Sequence, residues 1–303
     1  MLSRKVIVFF ILVALIESTF AATLPLADSA PIGEYANKPT MVNIQVDLEK
    51  EGDQDFIYNL LIEIERRGWF VTVYVTGEFA TNHPDTVRDI HDRGHQIAVH
   101  GWRSGEDLTL LNYDDQLQLL NMSFFAVRSA VGEMRQAYIA DFRPQYFKQN
   151  VDTFKVLEAL NVRSDSGFIA SQGDSRPYHT KYGFVAIPIS TLYEGCCPEE
   201  SQGICLCDTH IFIGLQATPE EYLGYLKQKF DQNDVNKEPM VMIVHASVVG
   251  KDAEKLDAFV KFLDYVKLKG GEVVLTDYMT TIANPYIENM SVSGPEIAMP
   301  GQT

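Results

Sequence analysis

Five apolar runs end in a side chain that can hold a proton, a charge or a metal ion. MVNIQV leads to Asp47, QIAV to His100, IADF to Arg143, NVRS to Asp165 and VMIV to His245. Each one taken alone reads as a solvated residue capping a strand. Five such caps are better explained by parallel strands that deliver them to one face, the C-terminal end of an α/β barrel, where that architecture keeps its active sites. The first of them has a second carboxylate close by. Asp47 and Glu49 stand at i and i+2 of an extended segment, so they share a side while Leu48 faces away. Two close carboxylates repel unless a cation lies between them, which suits one to ligate a metal and the other to act as a general base. The plainer reading is an acidic loop, since Glu49-Lys-Glu-Gly-Asp53 continues as ordinary surface.

The four cysteines, Cys196, Cys197, Cys205 and Cys207, all fall in one short stretch. One pair is adjacent and the other is separated by one residue, whereas a four-thiolate zinc site normally separates each pair by two to four residues. The spacing therefore points to two local disulfides that staple the loop. Export would allow them. At the N-terminus, Arg4 and Lys5 precede an apolar run from Val6 to Ile16, followed by small residues up to Ala22. This is the pattern of a secretory signal peptide, and the run is well short of the roughly 20 residues that span a bilayer. Asn-x-Ser sequons at Asn121 and Asn289 are compatible with an exported surface.

These residues must be positioned by a fold of 303 residues, 46% hydrophobic and 22% charged. That composition permits a large buried core and excludes low-complexity or mostly disordered chains. The formal charge of −16 repels phosphate backbones, so nucleic acid is excluded as a partner, and no stable membrane insertion is expected once the signal is cleaved. Strands are expected at 41–46, 69–75, 96–99, 139–142, 162–164, 184–187, 241–244 and 272–275. Three-to-four-residue apolar spacing predicts helices over 55–67 and 115–131. Thr218-Pro-Glu-Glu opens another helix with a hydroxyl cap, a proline at the first position and an acidic first turn, and 252–267 forms a further one. The alternation predicts an α/β fold with a largely parallel sheet or barrel. The expected boundaries are a signal peptide over 1–22, a linker over 23–40, one domain over 41–285 and a flexible tail over 286–303.

Ordered motifs across about 41–278 resemble the polysaccharide deacetylases, the family 4 carbohydrate esterases. They are GWFVTVYVTGEFATNHPDTVRDIHDRGHQIAVHGW, then FRPQY, SDSGF and IVH. The resemblance implies a distorted (β/α) barrel and an exported hydrolase that removes N-acetyl groups from a polysaccharide or oligosaccharide, with a divalent metal, zinc by preference. It makes Asp47 the general base that activates a metal-bound water and His245 the acid that protonates the leaving amine. Arg143 would orient Asp47, Asp165 would hold the imidazolium of His245, and the backbone N–H of Tyr146 would help bind the oxyanion. Glu49 and His100 would be metal ligands. The family's second metal histidine follows the first by four residues, and here that position is Ser104, a weaker donor than imidazole for borderline ions; Glu106 or Asp107 are the nearby substitutes. The change leaves a second reading open, a non-catalytic carbohydrate-binding protein on the same fold. Trp102, Tyr146 and Phe168 fit sugar stacking under either reading, and also fit ordinary core packing.

Overall fold

The computed structural model describes residues 38–132, 139–170, 174–192 and 205–284. The expected signal peptide, nearly all of the linker, Cys196, Cys197, Asn289 and the tail lie outside them.

The central strand shows how the chain builds both a core and a site. β1 (Met41–Leu48) is buried along its whole length, but its two faces differ in chemistry. Val42, Ile44, Val46 and Leu48 join the large core between sheet and helices, while Asn43, Gln45 and Asp47 occupy the other face, also buried. This is the period-2 alternation of a strand, here dividing an apolar layer from a polar barrel interior. Parallel strands flank it: β2 (Thr72–Val75) on one side and β8 (Met240–His245) on the other. From β2 the sheet continues through β3 (Gln96–Val99), β4 (Asp141–Phe142), β5 (Ser164–Asp165) and β7 (Val185–Ala186), all parallel. The edge strand β6 (Tyr178–His179) is antiparallel to β7, and β9 (Glu272–Val273) pairs with the start of β1. Beyond β7 the chain reaches β8, where Ser190 N–H donates to the Val241 carbonyl at 3.0 Å, so the sheet curls into a half-barrel.

Helices cover the outer face. α1 (Ile57–Glu65) buries Ile57, Leu60, Leu61 and Ile64, the i, i+3, i+4, i+7 stripe of a helix with one buried face. Among the others are α2 (Gly77–Asn82), α3 (Pro84–Asp92), α4 (Tyr113–Val131), α5 (Val151–Ala159), α6 (Pro219–Asn236) and α7 (Ala253–Leu268). The Thr218 start forms as the sequence implies: its hydroxyl accepts from Glu221 N–H, and the Glu221 carboxylate reaches back to Thr218 N–H at 2.8 Å, a reciprocal cap. No helix among the described residues is long and apolar enough to cross a membrane.

The ladder at the rim continues past the strands. Thr76 N–H donates to Leu48 O at 3.2 Å, His100 N–H to Val75 O at 2.9 Å, Arg143 N–H to Val99 O at 3.0 Å and Ser166 N–H to Phe142 O at 2.8 Å. Each bond fixes the residue after a strand against its neighbour, so the side chains are set by the sheet rather than by a free loop. Since β1 is the strand on which this ladder rests, Ile44→Ala should lower unfolding free energy by about 2–5 kcal/mol. Leu110→Ala, at a residue 81% exposed, should stay within about 0.5 kcal/mol. Urea denaturation of both variants checks the contrast.

Candidate active site

Asp47 and His245 are direct register partners on β1 and β8, and Asp47 Oδ2 lies 3.4 Å from His245 Nε2. A second imidazole approaches from β3: His100 Nε2 is 3.4 Å from Asp47 Oδ2 and 3.2 Å from Glu49 Oε1. The other nitrogen of each ring is engaged. His100 Nδ1 meets the Arg143 carbonyl at 2.8 Å, an acceptor only, so Nδ1 donates there and the ring is fixed with Nε2 facing the carboxylates. His245 Nδ1 lies 2.6 Å from Asp208 Oδ1, and its backbone N–H donates to Asp208 Oδ2 at 2.7 Å.

Arg143 forms an ion pair with Asp47 in which both partners are buried. Its Nη1 donates to Gln45 Oε1 at 2.7 Å, Gln45 Nε2 donates to Asn43 Oδ1 and Ser166 Oγ, each at 2.8 Å, and the guanidinium lies 4.4 Å from the centre of the Tyr74 ring. The polar face of β1 is thus a chain of supports under Asp47. Burial pulls the guanidinium down to about 9, against the raising influence of Cys207, Cys205, Asp165 and Asp208, so it stays charged at neutral pH.

Glu49 is held by a loop less ordinary than its acidic sequence suggests. The Asp53 carboxylate is buried and accepts from Glu49 and Lys50 N–H at 2.9 and 3.1 Å, and Thr76 Oγ1 donates to Glu49 O at 2.8 Å. Burial alone would raise the Glu49 carboxyl, but the His100 and His245 rings and the Gln145 amide bring it down to about 2. For His245 burial favours the neutral ring, and Asp208 reverses this, leaving the imidazolium well above its ordinary range with Cys207 adding to the effect.

Asp165 does not hold His245. It sits at the end of β5, where its Oδ1 accepts from Gly167 N–H at 2.7 Å, and burial pushes it up to about 7 against the Gly167, Gln149 and Arg143 contributions. Its surroundings explain the SDSG motif: a Cβ on Gly167 would come within 2.5 Å of Pro144, so the Arg-Pro turn and this loop require glycine. The partner of His245 is Asp208, which follows Cys207 rather than a strand run.

Ser104 does face the site, its Oγ donating to Glu49 Oε2 at 3.3 Å. The two nearby acids do not replace it. Glu106 accepts from Trp102 N–H at 3.1 and 3.0 Å, and Asp107 pairs with Lys148 at 2.7 Å. Gln145 is a further contributor that the sequence did not single out beyond its place in FRPQY. It is buried, donates to His100 O at 3.2 Å and contacts Glu49. The next residue, Tyr146, is 55% exposed at the rim and left-handed at φ 52°, as is Phe147 at φ 59°; such backbone costs about 1–3 kcal/mol per residue and persists only where the surroundings hold it. Of the aromatics, Phe168 is core, stacked on Phe154 at 5.8 Å. Trp102 packs on Gly77, where a Cβ would come within 2.5 Å of its ring.

Asp47, Glu49 and His245 each offer a ligand atom within 4.8 Å of the others, and His100 Nε2 adjoins both carboxylates. Of these, Glu49 and His100, a carboxylate and an imidazole whose Nδ1 bonds outward, are donors that fit a divalent cation such as zinc, with Asp47 and His245 beside them.

Cys205 and Cys207 are free, buried thiols. The disulfides expected for them are therefore not found: Cys205 Sγ lies 2.7 Å from His210 Nδ1 and Cys207 Sγ 3.0 Å from Thr209 Oγ1, while Cys196 and Cys197 lie outside the described residues.

Residues 36–164 match the polysaccharide deacetylase family model. No curated protein matches the sequence. Among solved structures, a protein from Mycobacterium smegmatis described as a polysaccharide deacetylase shares 17% identity over 86% of this chain and 96% of its own, with a TM-score of 0.67. Puue allantoinase shares 14% over 84% of this chain and 96% of its own, with a TM-score of 0.65. A CE4 family pseudoenzyme from Bacillus anthracis shares 10% over 83% of this chain and 68% of its own, with a TM-score of 0.56. These likenesses establish the (β/α) barrel fold of the deacetylases.

The His245–Asp208 geometry has a direct test. His245 has its titration raised above 6.5, so its favourable charge contributes to stability fully below pH 6.5 and is lost as pH rises through the raised value. Asp208→Asn should move the His245 titration down. NMR titration of the imidazole in chelator-treated protein reads it, and an unmoved titration would exclude Asp208 as the cause.

Proposed function

With residues 36–164 matching the polysaccharide deacetylase family model, we propose that the protein is an exported, metal-dependent hydrolase that removes N-acetyl groups from a polysaccharide or oligosaccharide. The observation that carries this reading is the Asp47 carboxylate held by Arg143 and lying 3.4 Å from His245 Nε2, a base and an acid within reach of one amide. Export rests on the pattern of residues 1–22.

A divalent ion, zinc by preference, would polarise the amide carbonyl and lower the pKa of water. Glu49 and His100 would hold it. The remaining steps belong to side chains. Asp47, kept ionised by the Arg143 charge, accepts the proton of the attacking water. His245, kept protonated by Asp208, gives a proton to the nitrogen as the C–N bond breaks, so acetate and a free amine result. Arg143 positions Asp47 through its bonds to Gln45, and the Tyr146 backbone N–H serves the tetrahedral oxygen. The exposed Tyr146 ring offers a surface for a sugar.

Ser104 favours a second reading. A hydroxyl stands beside Glu49 where an imidazole would strengthen the metal site, which suits a carbohydrate-binding protein without turnover. Acetate release from N-acetylglucosamine oligomers separates the two. The enzyme reading expects release that chelation stops, a loss of about 10²–10⁴-fold or more in Asp47→Ala with the metal largely retained, and loss of both metal and turnover in His100→Ala. Ser104→His should raise metal affinity and activity together. Glycan binding with no acetate released under any added divalent ion would establish the binding protein instead.

A further inference from the structure

Cys205, Cys207 and His210 form a second cluster of ligand-type side chains that the proposed hydrolysis does not use. Cys205 bridges Thr191 and Cys207 bridges Ile243 of β8, so both lie where the two ends of the sheet approach each other. Cys207 N–H donates to the Cys205 carbonyl at 2.7 Å, a three-residue turn that tightens the Cys-x-Cys spacing. The chain then turns helical, with Ile211 N–H donating to the Cys207 carbonyl at 3.1 Å, and this brings His210 onto the face of Cys207 three residues later. As a result Cys205 Sγ lies 2.7 Å from His210 Nδ1, and the ligand atoms of all three residues fall within 4.8 Å of one another. Local backbone geometry achieves a convergence that the linear spacing does not suggest.

We infer that Cys205, Cys207 and His210 bind a zinc-class divalent cation at a site separate from the Asp47–Glu49–His100–His245 group. Two thiolates and an imidazole are a softer donor set than carboxylates, and favour zinc, cobalt or cadmium over magnesium or calcium. The surroundings agree. Both thiols are buried among Val185, Ile187, Val241 and Ile243, where Arg143 beside Cys205 and His245 beside Cys207 offset part of a thiolate charge, and a bound cation would complete that balance. Three protein ligands leave the fourth tetrahedral position to water. The ion would also have a structural consequence. Cys207 adjoins Asp208, and the ligand atoms of Cys207, Asp208 and His245 lie within 4.8 Å of one another, so a cation on Cys207 and His210 would fix the turn that carries Asp208 to His245. The site stands or falls independently of the deacetylase reading.

The test uses the purified full-length protein, reduced, stripped of metal under anaerobic conditions and titrated with cobalt(II) alone. Thiolate-to-cobalt charge-transfer absorption and strong visible bands of a tetrahedral centre are expected, the thiolate band accounting for one cobalt per chain whether or not a second cobalt enters the Glu49–His100 site, and added zinc should bleach the thiolate band. Cys205→Ser and His210→Gln should each weaken this signal's affinity about tenfold or more, while Glu49→Gln leaves it in place. Cys207→Ser should abolish it, and the other two variants keep the test decisive if that protein does not fold. Cobalt binding without a thiolate band would overturn the assignment. So would a band that survives Cys205→Ser, or peptide mapping of protein purified without reductant that finds Cys205 or Cys207 in a disulfide.

Discussion

The buried ion pair between Asp47 and Arg143 is the constraint on which the rest of the site depends. Taking two charges out of water costs several kcal/mol per ion, and their attraction offsets this only when the remaining donors and acceptors are also satisfied. Here the satisfaction is spread over strands far apart in sequence. Gln45 takes one guanidinium nitrogen, Gln45 is held in turn by Asn43 and Ser166, and the Tyr74 ring lies against the cation. Those residues come from β1, β2 and the loop after β5, so the pair can persist only if the half-barrel closes in register. The same Arg143 fixes His100 through its backbone carbonyl. One residue thus orients the carboxylate by its side chain and the imidazole by its main chain.

Much of this was legible in the sequence because strand ends are easy to read. The apolar runs before Asp47, His100 and His245 are continuous strands, the one before Arg143 forms only two strand residues, and parallel pairing sends their last residues to one rim. Those before Asp165 mislead in a specific way: the strand is real and the carboxylate is at the rim, but its neighbour is the Gly167 N–H. Asp208 carried no comparable signal. It lies in a turn between a bridge and a short helical segment, and only the folding of residues 205–214 against β8 brings it to His245.

The cysteines show the converse limit. Sequence spacing treats residues as points on a line, so Cys205 and Cys207 appeared too close for a metal and suited to disulfides. The backbone instead puts a tight turn and a helical turn in succession, and the partner that meets Cys205 is His210. Short strands were similarly hard to see: β6 has two residues, half-exposed and exposed, and is defined by its antiparallel bonds to β7 rather than by any apolar run. The loop after Asp47 reads as acidic surface, yet Asp53 is buried because two backbone N–H groups need its carboxylate.

The electrostatics also divide labour among the four groups around Asp47. A metal ion and a proton compete for the same nitrogen lone pair, so a histidine can be a ligand or an acid but not both at once. Asp208 lifts the His245 titration well above its ordinary value, which favours the proton at that ring. His100 has no carboxylate on Nδ1, only the Arg143 carbonyl, and its Nε2 stays open towards Glu49. Glu49, brought down to about 2 by the neighbouring rings, is ionised at neutral pH. What each side chain's far end is bonded to supports the proposed placement of the ion on Glu49 and His100 and of the proton on His245. Ser104 adds a hydroxyl to Glu49 and touches neither Asp47 nor His245, so under the proposed division its effect would fall on the metal ligand rather than on the base–acid pair.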